Sequence, residues 1–156
     1  MAVRRGGVDD MSRFDPKLCG DVEVNQTIVN NIVYYRQQSD SDDNYNLFKF
    51  QMAISIAHEI VHFLTGFLTG SNSATSGTPR MVVLEPYGNI RTGEAGRFLE
   101  SILLGGVAEF YFNANDPLGD KQVGNPYLLD DGYPNFPAKP ISRTYIDSFL
   151  RGSKYT

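Results

Sequence analysis

Tryptophan is absent, cysteine occurs once and histidine twice in 156 residues. A lone thiol, Cys19, excludes an intramolecular disulfide framework and any multi-thiolate zinc site. No run approaches the ~20 consecutive apolar residues that span a bilayer. The opening MAVRRGGVDDMSRF has no apolar stretch after its arginines, so it does not read as a signal peptide. Positive charge is also short: 14 Lys and Arg against 18 Asp and Glu give a net charge of -4. That balance argues against a general nucleic-acid surface or a polybasic membrane patch. A reduced, cytoplasmic protein is the expectation.

Apolar residues make up 41% of the chain and charged residues 21%, enough to bury one compact core. The aromatic part of that core must come from Tyr and Phe. Residues 1–20 are rich in Gly, Arg and Asp without periodicity and read as a flexible arm, leaving 21–156 as a single domain. The segment VEVNQTIVNNIVYYR (22–36) fits a strand pair or one helix, and periodicity does not decide. The acidic linker after it offers Asp43, Asn44 and Asn46 as helix caps.

NLFKFQMAISIAHEIVHFLTGFLTG then predicts a long helix that is apolar all round and therefore buried. Leu47, Ile54, Val61 and Leu68 form one stripe; Phe48, Met52, Ile56 and Phe63 form another. MVVLEPYGNI reads as an edge strand ended by Pro86. A second helix is expected from Gly93 or Glu94 to Phe112, with Gly105-Gly106 as the point where it kinks or divides. Five prolines punctuate 117–140, which reads as disordered or as a binding wall. A short amphipathic helix over Ser142–Leu150 closes the chain.

Both histidines lie on the long helix, as His58-Glu59-Ile60-Val61-His62. Residues i and i+4 share a helix face, so two imidazoles can reach one ion. Glu59, about 100° round the same turn, is placed to act on zinc-activated water instead of binding the metal. Zinc suits imidazole donors and needs no redox chemistry. The alternative is a pair of satisfied core histidines. Burying three ionisable side chains without a partner would cost several kcal/mol, however, and a metal supplies that partner.

HEIVH on a long helix, with a glutamate-bearing helix downstream, resembles the zincin metallopeptidases of the glutamate-ligand (gluzincin) type over roughly 44–112. GEAGRFLESILLGG is also similar to zincin-like proteins of fungi. The resemblance implies a third zinc ligand from a glutamate on the second helix. Helical phase puts Glu100 and Glu109 on opposite flanks of that helix's apolar face, so both should not reach one ion, and Glu94 sits at its start, about 120° from Glu100. Glu100-Ser-Ile-Leu-Leu-Gly105-Gly106 resembles the third-ligand pattern of clostridial neurotoxin light chains. Combined with its flank position, that places Glu100 ahead of Glu94, Glu109 and Asp116. On the same reading, Gly105-Gly106 would let the second helix pack close to the first. Neurotoxin-type zincins stabilise the oxyanion with an arginine and a tyrosine three residues apart; here Arg143 and Tyr145 stand two apart, and Tyr127 and Tyr133 are equal candidates.

The expected fold is α+β and zincin-like: a buried HExxH helix packed on a second, ligand-bearing helix, with a small sheet from 22–36 and 80–90. The expected function is a zinc hydrolase, a metalloprotease or other metallopeptidase holding one Zn2+ per chain through His58, His62 and Glu100. Its partner would be a peptide or small-molecule substrate. A zincin-like small-molecule enzyme and a non-catalytic module braced by metal are the alternatives.

Overall fold

The structure is a computed structural model and describes residues 2–5, 20–38, 42–69, 95–129 and 138–152. The expected strand at 81–90 lies outside the described residues, as do Cys19, Glu94 and Tyr133. In order, the elements are β1 (Ala2–Arg5), β2 (Gly20–Glu23), α1 (Gln26–Arg36), α2 (Asp42–Thr69) and α3 (Ala95–Leu104). After these come β3 (Val107–Tyr111), a 3-10 turn (Gly119–Lys121), β4 (Asn125–Leu129), β5 (Lys139–Pro140) and α4 (Arg143–Leu150). The class is mixed α+β. No helix among the described residues is long and apolar enough to cross a membrane.

The ambiguous 22–36 segment is mainly helix. Asn25 caps α1 by accepting from the Thr27 amide at 2.9 Å, and tertiary contacts outweigh the β-propensity of its branched residues. Asn31 donates to the Asp120 carbonyl and the Tyr35 hydroxyl to the Lys121 carbonyl, both at 3.0 Å. These two bonds dock the 3-10 turn on α1. Ala2–Arg5, within the stretch read as an arm, pairs antiparallel with Gly20–Glu23.

At 28 residues, α2 is the longest element, and it packs on α1, α3 and α4. Its first half is deeply buried through Leu47, Phe48, Phe50 and Ile54. All-round burial does not extend along the helix: Ile60 and Leu64 are 45% and 52% exposed. The candidate caps Asp43, Asn44 and Asn46 lie within the first two turns of α2, where Asn46 instead donates to Asp147 Oδ1 on α4 at 3.0 Å.

The second helix is shorter than expected. It stops at Leu104, where Gly105 takes a left-handed φ of 79°. Gly106 then lies against the Leu129 carbonyl, which would stand 2.8 Å from any Cβ placed there. The chain reverses through this pair, and VAEFY becomes β3, not helix. β3 pairs antiparallel with β4 from Val107↔Leu129 to Tyr111↔Asn125, and β5 lies on the far side of β4. This three-stranded sheet therefore comes from 107–140, whereas of 22–36 only Val22 and Glu23 are strand, paired with β1. The proline-rich stretch contributes its second and third strands.

The core combines Tyr35, Leu47, Phe48, Phe50, Ile54, Leu104, Val123, Ile141 and Ile146. Phe50, fully buried, meets Phe149 of α4 edge-on at 5.2 Å and Phe110 of β3 at 6.2 Å. Tyr and Phe fill the core, as the missing tryptophan requires. The closing helix α4 matches expectation, with Ser142 as its cap.

Candidate functional site

Helical spacing sets His58 and His62 one turn apart on α2, with ring centroids 5.0 Å apart and planes tilted by 56°. His62 Nδ1 is buried. Glu59 is half-buried on the same turn. The His58 ring lies against α3, where Gly96 supplies the space: a Cβ there would overlap Cγ, Cδ2 and Nδ1 of the imidazole.

One turn beyond Gly96, Glu100 reaches the same ring. Its Oε1 stands 2.6 Å from His58 Nδ1, and its Oε2 accepts from the Ala108 amide of β3 at 2.8 Å. The carboxylate is only 6% exposed. Burial without partners would be costly, so polar partners from two different elements account for its presence there. Glu100 thereby ties α2, α3 and β3 together at the histidines.

Glu109 departs from its expected position. The turn at Gly105-Gly106 puts it on β3, opposite Tyr127, instead of on the far flank of a continuous helix. Its carboxyl is held above the usual glutamate value by burial, against the opposing charge of Arg97 and with a smaller push from the negative charge of Glu100.

Of the candidate oxyanion donors, Arg143 is anchored at the start of α2, away from the histidines. Arg143 opens α4 and donates to the Asp43 carbonyl at 2.9 Å. Asp43 precedes His58 by fifteen residues of α2, a rise of about 22 Å. Tyr145 lies half-buried against the core on the same short helix. Tyr127 packs edge-on against Tyr111 at 5.4 Å on the sheet. Asp116 accepts from the Leu118 amide in the loop after β3, where its charge helps raise the pKa of Tyr35 behind the larger effect of burial.

Sequence reasoning missed Gly96. It assigned close helix approach to Gly105-Gly106, which instead end α3 and turn the chain. The available signal was position: Gly96 precedes Glu100 by four residues and shares its helix face.

In donor chemistry the histidine pair suits zinc. Among the described residues, no group of three or more His, Cys, Asp or Glu side chains is arranged to hold a metal. Comparison of the chain with protein-family models, curated proteins and solved structures gave no match.

Proposed function

We propose that the chain is a zincin-like zinc hydrolase acting on a peptide or amide bond, with one zinc ion per chain. The observation that carries this reading is the pairing of His58 and His62 one turn apart, with the His58 ring seated on α3. His58 and His62 would hold the metal through imidazole nitrogen. Bound zinc supplies Lewis acidity towards water and a carbonyl. Glu59, on the same turn of α2, would take a proton from water and deliver it to the leaving nitrogen. The half-buried setting of that turn supports the assignment, because a general base must be reachable by water and substrate.

Glu59→Gln tests the mechanism. The amide keeps the side chain's size and hydrogen bonding but removes its basicity. The variant should fold, keep its zinc and lose ~10²–10⁴ in peptide hydrolysis, first screened on broad peptide libraries. Wild-type rates in the variant would contradict the role of Glu59. A zinc-loaded wild type inert to all peptides would favour a small-molecule reaction instead.

A further inference from the structure

We propose that Glu100 is a positioning residue that acts through His58: with Gly96 it fixes the plane and tautomer of that imidazole so that Nε2 is the atom presented for coordination. The part concerning coordination rests on the zinc reading; the part concerning the tautomer does not.

Three features carry the inference. Both Glu100 oxygens are engaged: Oε1 stands 2.6 Å from His58 Nδ1, and Oε2 accepts from the Ala108 amide at 2.8 Å. We place the shared proton on Nδ1, the arrangement in which the carboxylate accepts from both partners, and the neutral ring then carries its lone pair on Nε2. A carboxylate behind an imidazole in this manner orients it and raises its basicity as a ligand.

The second feature is that Glu100 is located independently of His58. The left-handed Gly105 returns the chain so that the Ala108 amide, eight residues on, points at Oε2. The carboxylate is thus anchored by β3 as well as by the imidazole. Third, the Cγ end of the His58 ring (Cγ, Cδ2 and Nδ1) lies on Gly96, where even a methyl group would overlap it, so the ring has no room to turn on that side. Coordination through Nδ1 would require parting that nitrogen from Glu100. Coordination through Nε2 does not. In this proposal Glu100 stands behind the first ligand, where the resemblance implies a third ligand.

Long-range ¹H–¹⁵N NMR of the metal-free wild type, in the pH range where imidazole is neutral, reads the tautomer directly. The expected result is a protonated Nδ1 and a bare Nε2 on His58. Glu100→Ala should shift the ring towards Nε2–H and weaken Zn2+ binding by ~10–100-fold. Should Glu100→Ala not fold, Glu100→Gln serves, since its amide oxygen can still accept one of the two bonds; it should fall between wild type and Ala in both readouts. On addition of Zn2+ to the wild type, the Nδ1–H signal should persist. An Nε2–H tautomer in the wild type would overturn the proposal, as would loss of the Nδ1–H signal when zinc binds. A wild type that shows the Glu100-dependent Nδ1–H tautomer but never takes up zinc would support the positioning role and refute the zinc reading.

Discussion

A methyl group at position 96 has no room. Alanine ordinarily improves a helix over glycine by about 1 kcal/mol, but in Gly96→Ala the new Cβ would overlap the His58 ring. The sign should therefore reverse, to a loss of ~1–3 kcal/mol in denaturant unfolding. Zinc affinity should fall as well, because the ring must move off α3. Gly105→Ala is the control: nothing lies within 4 Å of its Cβ, and its positive φ costs about 1–2 kcal/mol. Gly105→Ala should lose stability but keep zinc affinity. Equal loss of affinity in both variants would contradict the seat assigned to Gly96. At this scale the sequence was informative about His58, Glu59 and His62 as neighbours on one helix, because i, i+4 spacing is local geometry. It was silent on Gly96, whose importance depends on which ring another helix brings against it.

Among the elements, the turn after α3 decides most. Gly105-Gly106 was legible as a breaking point, but whether the chain continued as helix or reversed into a strand depended on the Leu129 carbonyl beside Gly106. That partner lies 23 residues downstream, beyond the reach of local periodicity. The reversal moves Glu109 onto β3, and a stability prediction follows. Its ordinary value is 4.5, and burial raises it in the fold. The folded state therefore binds more protons than the unfolded state between those two values, and stability declines as pH rises through that window. Glu109→Gln removes the carboxylate that is penalised at neutral pH. The variant should melt higher than wild type at pH 7 and lose this advantage below the unfolded value. A lower melting temperature at pH 7 would show that the Arg97 attraction outweighs burial, against the assignment made here.

The whole molecule is organised around α2, whose first half forms the core and whose second half carries the histidines. Phe50 joins these roles by packing on Phe110 of β3 and Phe149 of α4. Phe50→Ala should cost ~3–5 kcal/mol, a large share of the ~5–15 kcal/mol that holds a domain together. It should appear as a lowered urea midpoint; a loss under 1 kcal/mol would mean that the core does not run through this ring. The α+β class and an aromatic core without tryptophan were legible from composition and patterning. The strands actually used are not, because prolines at 117–140 mask β4, and the sequence of its partner β3 also fits a continued helix.

The central claim, that His58 and His62 hold zinc, is tested most directly by metal content. Wild type, His58→Ala and His62→Ala would be loaded with zinc, desalted and subjected to elemental analysis, with circular dichroism to confirm folding. The account predicts about one zinc per chain in the wild type and almost none in either folded variant. A folded wild type without zinc, or full zinc in both variants, would contradict it.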